Sequence, residues 1–340
     1  MKEPKIRSKK WSKKTKVDNL KIQNQIDTDK IYITQEDSLD RLDKLLALRY
    51  PDFSRTYFQN LIDKGSVLLN GERIKKRIVP KYGDEVSIIF EHPPEISLEP
   101  EDIPLDILFE DEHILVVNKQ ANFVVHPGAG NPNHTFVNAL LHHCKNLSVI
   151  DDSIRPGIVH RLDKDTTGVL IAAKTKLAHT RLMQTFANRR NITKLYLAIC
   201  VGNPKDQTVS LSIGRDPKNR KEMATLSEGG KEAITHVKTL GVNDTLSFVL
   251  LRPVTGRTHQ LRVHLKSLNT PILGDQVYGI KKANEKHKES RQLLHAYKLC
   301  LPHPIHKTPM EFVANLPQDF RQRLEKSFLE VSEDKSFCTL

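Results

Sequence analysis

The run His160-Arg161-Leu162-Asp163-Lys164-Asp165-Thr166-Thr167-Gly168 is the densest polar constellation in the sequence. Its carboxylate Asp163 has the cations Arg161 and Lys164 nearby, and such neighbours keep a partly buried carboxylate ionised and available as nucleophile or base. The run falls between two apolar segments, 158–160 and 169–173, that read as strands. It is therefore a loop on a rigid scaffold, where reacting side chains tend to sit. Asp, Lys, Thr and Gly are also good turn residues, so composition alone favours a surface turn.

Other chemistries fit less well. His160-Arg161-Leu162-Asp163 has the wrong spacing for a kinase H-R-D loop, and no Gly-rich loop or D-F-G accompanies it. Gly128-Ala129-Gly130 lacks the Gly-Lys-Ser/Thr ending of a phosphate loop and reads as a turn. Among the 15 histidines, His142-His143-Cys144 and His303/His306 are the nearest clusters, but neither forms a matched ligand set, and no metal is expected. His259 and His264 are expected to orient a helix and its loop. Cys144, Cys200, Cys300 and Cys338 show no C-x-x-C spacing, which suits a reduced cytosolic protein.

The elements that must carry these residues come from 340 positions, 38% of them hydrophobic, enough for one or two packed cores. Lys and Arg outnumber Asp and Glu by 53 to 41, a net charge of +12 that favours an anionic partner. No apolar run approaches the ~20 residues of a membrane span, and no hydrophobic segment follows the basic start as in a signal peptide. A soluble, cytoplasmic protein is expected, without membrane partners and as a monomer.

Residues 1–36 read as a disordered basic arm, with +7 concentrated in positions 1–17, as fits either RNA phosphates or a solubilising tail. An ordered unit is expected over 37–90. Leu39, Leu42, Leu45, Leu46 and Leu48 predict an amphipathic helix ending before Tyr50-Pro51. Ser54 reads as the N-cap of a helix over 55–63 with Phe58, Leu61 and Ile62 on its apolar side. Gly65 ends it, 67–69 is a short strand, Asn70-Gly71 a hairpin turn and 85–90 a further strand. Residues 91–104, rich in Pro and Glu, read as a tether, or else as an irregular stretch packed on the next domain. Beyond it, strands are predicted at 114–117, 158–160, 169–173, 195–201, 209–213, 234–240 and 246–251, the last two paired around Asn243-Asp244. Helices are predicted over 175–190, with Ala178, Leu182, Met183, Phe186 and Ala187 as a core stripe, and over 257–268. The fold class is α+β with a mixed, largely antiparallel sheet over 105–326, preceded by a small α/β domain and followed by a tail, 327–340.

The order Arg41-Leu42-Asp43-Lys44-Leu45-Leu46, Ser54-Arg55, Gly65-x-Val67, Asn70-Gly71 resembles the S4 RNA-binding domain. That resemblance implies that Arg41, Lys44, Arg55 and the basic hairpin with Lys75 and Lys76 face a structured RNA.

The run from His160 to Gly168 is similar to the H-R-L-D-x-x-T-S/T-G signature of the RluA family of pseudouridine synthases. Lys194-Leu195-Tyr196-Leu197-Ala198 resembles the family's K-x-Y-x-A segment, and Gly256-Arg257-Thr258-His259-Gln260-Leu261-Arg262-Val263-His264 its G-R-x-H-Q-L/I-R-x-H motif. Gly274-Asp275-x-x-Tyr278-Gly279 and Leu294-His295-Ala296 continue the likeness, which runs from about 106 to 318. Within the family the likeness is greatest to the RluD type, which acts on large-subunit ribosomal RNA, and Val125-His126-Pro127-Gly128-Ala129-Gly130-Asn131 agrees with it. One departure is Lys119-Gln120-Ala121-Asn122 in place of Lys-Pro-Ala-Gly, a change of turn rather than of a reacting group.

The resemblance implies that Asp163 is the essential carboxylate, that Tyr196 stacks on the target base, and that Arg161 enters the duplex once the base has flipped. Arg262 lies on a helix beside its apolar stripe, so it can point inward and pair with Asp163. The expected activity is isomerisation of specific uridines to pseudouridine, foremost in 23S ribosomal RNA, without cofactor. The alternative is a non-catalytic RNA-binding or ribosome-assembly factor on the same scaffold.

Overall fold

The computed structural model describes residues 27–37, 40–51, 53, 55–90, 98–128, 130–145, 147, 156–219 and 222–328. The chain divides into two units, 1–95 and 96–340.

In the first unit, helices α1 (Leu42–Arg49) and α2 (Arg55–Lys64) pack on a sheet of β1 (Asp27–Tyr32), β2 (Val67–Leu69), β3 (Glu72–Arg73) and β4 (Glu85–Phe90), in the order β1-β4-β2-β3. Leu42, Leu46, Phe58, Leu61, Val67 and Ile88 form the core. Asn70 and Gly71 both take positive φ (52° and 82°), the backbone that a two-residue hairpin between right-twisted strands requires. Two expectations are corrected. β1 pairs antiparallel with β4, so ordered structure begins inside the stretch assigned to the basic arm. Its sequence, Asp-Thr-Asp-Lys-Ile-Tyr, is too polar to read as a strand. Leu48 is 71% exposed rather than part of the helix's apolar face. Ser54, Leu39 and positions 1–17 lie outside the described residues.

The second unit is built on a ten-stranded sheet. Its strands are β5 (Ile107–Glu110), β6 (Ile114–Lys119), β7 (Thr167–Ala173), β8 (Thr193–Val201), β9 (Gln207–Arg215), β10 (Met223–Thr225), β11 (Lys231–Val242), β12 (Leu246–Pro253), β13 (Leu294–Pro302) and β14 (Pro309–Val313). The order is β10-β9-β11-β12-β8-β13-β7-β6-β5, with β14 on β13. All pairs are antiparallel except β7 with β13, which makes the expected mixed, largely antiparallel α+β fold.

Helices cover both faces. In β6 and β7, Leu115, Val117 and Leu170 face α3 (Phe136–His143), while Val116, Val169 and Ile171 face α4 (Lys176–Asn188). In β8 and β12, Ala198 and Val249 meet Leu261 and Leu265 of α5 (Gln260–Ser267). On the opposite side, Leu197 and Phe248 meet Phe320 and Leu324 of α7 (Gln318–Ser327). A short α6 (Lys281–His287) precedes β13. This two-sided burial follows from strands that read as continuous apolar runs.

Several local expectations change. Residues 158–160 form no strand; Ile158 makes a single bridge to Ala172. The helix expected from 257 starts at Gln260, because His259 is left-handed at φ 54°. Met183 and Ala187 of α4 are exposed, so the core stripe is narrower than its periodicity suggested. Of the proposed tether, 91–97 lie outside the described residues, but 98–104 belong to the second unit. Asn138 Nδ2 donates to the Glu99 carbonyl (2.8 Å), His134 N–H donates to Glu101 Oε1 (2.8 Å), and Ile103 packs on the α3 core. At the other end, Phe328 is buried, so the unit extends past 326 into the expected tail. No helix among the described residues is long and apolar enough to cross a membrane.

Candidate active site

The loop 160–166 opens into β7, and its two ends are fixed by specific contacts. Gly168, at φ 110°, sits where β7 and β13 run side by side; a Cβ there would lie 2.2 Å from the Ala296 carbonyl oxygen. At the loop's start His160 stacks on Phe186 (4.6 Å between ring centres), and its Nε2 accepts the Ile171 N–H (3.0 Å). Burial and the Lys194 charge bring its pKa down to about 3, so the ring is neutral. At the loop's end Thr167 Oγ1 bonds His295 Nδ1 (2.8 Å), while His295 Nε2 meets the Ala314 carbonyl (3.1 Å). Burial lowers His295 to about 4.

Beneath the loop lies Lys119, 1% exposed, donating to the carbonyls of Gln120, Phe123 and Lys164 at 2.8, 2.8 and 2.9 Å. Burial lowers it to about 7 against the raising effect of Asp165 and Asp163. Asn122, where the family places Gly, takes the left-handed backbone at φ 56°, which Asn tolerates better than most residues.

Asp163 projects from this loop into a cavity of about 400 Å³, shared with Tyr196, Arg161, His259 and Arg262. Arg262 Nη1 donates to Asp163 Oδ2 at 3.0 Å, the pair that the helix position suggested. The same guanidinium is clamped from behind by Asp275: Nε to Oδ2 at 2.7 Å and Nη2 to Oδ1 at 2.9 Å. Against the cost of its burial, Arg262 is held well above its usual range by these two carboxylates. Burial likewise opposes Asp275, which Arg262 and the N–H groups of Tyr278 and Val277 nonetheless keep below the usual carboxylate range. The other oxygen of Asp163 faces the cavity, 3.8 Å from His259 Nε2. His259 Nδ1 is 2.8 Å from the Tyr278 hydroxyl, which accepts the Met223 N–H (2.9 Å). Burial pushes the Tyr196 phenol up, and the negative charge of Asp163 pushes it further.

The helix bearing Arg262 is pinned by Gln260. Its amide nitrogen donates to the Ile234 carbonyl and Thr235 Oγ1, both at 2.9 Å, and its oxygen accepts from Thr255 Oγ1 (2.6 Å) and Arg257 N–H (3.0 Å). Lys119, Gln260 and Asp275 were not singled out by sequence reasoning. All three stood within quoted motifs, but no role was assigned to them there.

Most of the basic candidates of the first unit are paired with acids while staying part-exposed. Arg41 and Arg55 converge on buried Asp43: Arg41 Nε and Nη2 at 3.0 and 2.9 Å, Arg55 Nε at 2.9 Å. Lys44 pairs with Asp40 (2.9 Å) and Lys76 with Asp63. Lys75 is exposed beside Arg73 and Arg77 in one shallow groove. Of the histidine clusters, His303 is engaged by Asp111 and by the N–H groups of Ile305 and His306, at 2.8, 3.1 and 3.0 Å. His143 and Cys144 gather with Glu110, which already carries Lys174 at 2.6 Å.

Residues 113–267 match the RNA pseudouridylate synthase family and 40–86 the S4 domain. Over 304 residues, 89% of this chain and 98% of the relative, the sequence is 40% identical to an uncharacterized RNA pseudouridine synthase, YlyB, of Bacillus subtilis (strain 168). Over 309 residues it is 42% identical to ribosomal large subunit pseudouridine synthase D of Escherichia coli (strain K12), covering 87% of this chain and 93% of that protein. The chain belongs to the RluA family of RNA pseudouridine synthases. Among solved structures, human RNA pseudouridylate synthase domain containing 1 is similar, with a TM-score of 0.51 and 28% identity over 66% of this chain and 86% of that one. The synthase fold thus brings Arg161 and Asp163 of one loop together with the distant Tyr196 and Arg262 at one cavity.

Proposed function

We propose that this pseudouridine synthase isomerises specific uridines of large-subunit ribosomal RNA, with Asp163 as the reacting carboxylate. The substrate is supported by the relative named for the ribosomal large subunit and by the S4 domain. The role of Asp163 rests on one observation: Arg262 occupies one of its oxygens while the other faces the cavity beside Tyr196.

The chemistry asks for little more. N1–C1′ breaks, C5–C1′ forms, C5 loses a proton and N1 gains one. Nothing is oxidised and no group is imported, so a carboxylate suffices and no cofactor is required. Whether it acts on the sugar or the base, Asp163 supplies a carboxylate oxygen, and the hydrogen bond from Arg262 orients it. Tyr196 stacks on the uracil. Arg161, exposed at the cavity mouth, takes the place of the flipped base in the duplex. Lys75 and the neighbouring hairpin cations grip phosphates, and Arg41, Lys44, Arg55 and Lys76 add charge through their solvent-facing N–H groups. A cytoplasmic location follows from that substrate.

The test is a map of pseudouridines in ribosomal RNA from cells with and without the protein. Loss of specific large-subunit sites, restored by wild type, is the expected result. An unchanged map with retained RNA binding would instead favour the assembly-factor reading.

A further inference from the structure

The cavity around Asp163 carries more positive charge than one carboxylate accounts for. Arg161, Arg189, Lys194, Arg257 and Arg262 line it, and Asp163 is the single acid among the lining residues. Arg262 is committed to Asp163 and Asp275, and Arg257 Nε donates to the Glu232 carbonyl (2.9 Å). Lys194 has no such commitment. It stands two residues before Tyr196 in β8, so strand alternation sends both side chains to the same face, and both reach the cavity. Among the described residues, no carboxylate pairs with its ammonium and none of the hydrogen bonds engages it.

This arrangement is costly in the unliganded protein. Burial pushes the Lys194 ammonium below its usual range, and the neighbouring Arg189 pushes it in the same direction. An uncompensated cation in a desolvated site is disfavoured unless something pairs with it. Arg189 reaches the cavity from the turn between α4 and β8, where it is the left-handed residue that ends α4.

A neutral base carbonyl would accept one N–H from Lys194 but leave the repulsion between the two cations untouched. A monoanion with two equivalent oxygens answers both, and in RNA that group is the phosphodiester. We infer that Lys194 and Arg189 form a subsite for the phosphodiester adjoining the uridine that reacts at Asp163. The inference rests on the reading of Asp163 given above. The subsite rewards insertion of the nucleotide. RNA lying on the outer surface leaves Lys194 unpaired, whereas a nucleotide inside the cavity neutralises it, so binding energy is gained only in the state that can react.

The test uses the full chain and a ribosomal RNA stem-loop containing a uridine found by mapping. Lys194→Met should lower kcat/KM about tenfold and make the dependence of log Kd on log salt shallower by about one phosphate contact, while Lys194→Arg keeps the slope. Neutral methylphosphonate linkages on either side of the uridine should cost the wild-type protein the same factor and cost Lys194→Met nothing further. An unchanged slope in Lys194→Met, or an equal methylphosphonate loss in wild type and variant, overturns the subsite. The methylphosphonate comparison on wild type needs no variant to fold, and indifference to it also overturns the subsite. A wild-type protein that converts no uridine in ribosomal RNA defeats the proposed function instead. On an RNA whose unpaired uridine enters the cavity, reported by the fluorescence of a 2-aminopurine placed beside it, the salt slopes of wild type and Lys194→Met still decide the subsite.

Discussion

Asp43 in the first unit and Asp163 in the second are both held by arginine, with opposite results. The Asp43 side chain is fully buried, and Arg41, Arg55 and Gln59 together saturate its oxygens, while the arginines remain part-exposed. Around Asp163 the buried partner is the cation: the Arg262 side chain is 6% exposed and that of Asp163 is 19%. Arg262 spends two N–H groups on Asp275 and one on Asp163, so one oxygen of Asp163 stays open to the cavity. Burying the acid makes a strut between two helices. Burying the base and leaving the acid at the edge of a cavity leaves a carboxylate oxygen that a substrate could reach.

The sharpest way to break this contrast is Asp163→Asn. The amide oxygen still accepts from Arg262, so melting temperature and RNA affinity should hold, while pseudouridine formation falls by about 10³-fold or more. Appreciable turnover on a ribosomal RNA transcript would remove Asp163 from the chemistry. Next is Arg262→Met, which strands Asp163 and Asp275 together. Denaturant unfolding should show a loss of about 3–5 kcal/mol, with activity lost as well. Arg262→Lys should recover only part of either, because an ammonium cannot make the bidentate clamp and the third bond at once. Wild-type stability in the Met variant would mean the clamp is not what holds the site.

Acid should separate the two units. His160 and His295 are neutral in the folded second unit, near 3 and 4, whereas the unfolded imidazole titrates near 6.5. The unfolded chain therefore binds more protons below that value. Their contribution is complete above about pH 6.5 and is lost as the pH falls toward the folded values. Each removes about 1.4 kcal/mol per pH unit, so a drop from about pH 6.5 to 5.5 should cost roughly 2–3 kcal/mol. In the first unit, hydrogen bonds from Arg55, Gln59 and Arg41 overcome burial and hold Asp43 below its usual range. That contribution is present above the unfolded carboxylate value, about 3.9, and is lost only as the pH falls below it. Hydrogen exchange at pH 7 and 5.5 should show the second unit weakening first, and equal weakening would contradict this account. The smallest effect is expected from Asp43→Ala. It leaves two part-exposed arginines and should cost about 2 kcal/mol in the first unit alone. KM for RNA should rise with kcat unchanged, and a fall in kcat would tie the strut to the chemistry.

The legible parts of this molecule were those whose cause is local. The periodicity of Phe58, Leu61 and Ile62, the Asn70-Gly71 turn and the apolar runs of β6, β7, β8 and β12 each follow from neighbours in sequence. The Asp163–Arg262 pair was legible because a helical stripe predicts which way Arg262 points. Lys119, Gln260 and Asp275 were not. Each is a buried polar side chain whose partners come from distant segments, and a charge in a sequence carries no sign of burial. β1 was missed because its side chains are polar and it lies at a sheet edge. For 98–104 the second of the two readings holds: Pro and Glu signal a tether, but the segment's backbone and acids are stitched to α3 and the turn before it.

The parallel pairing of β7 with β13 has a bearing on when this protein becomes active. The bond between Thr167 and His295 joins positions 128 apart in the chain, and Gly168 packs on the backbone of Ala296. Such distant pairings carry a large loop-closure cost and form late. During synthesis the loop bearing Asp163 is made long before the strand that anchors its end. A nascent chain that stops short of β13 has Asp163, Tyr196 and Arg262 but not the strand that anchors the end of the loop. Activity should therefore switch on only once β13 has been made, so that chains still lacking it stay inactive.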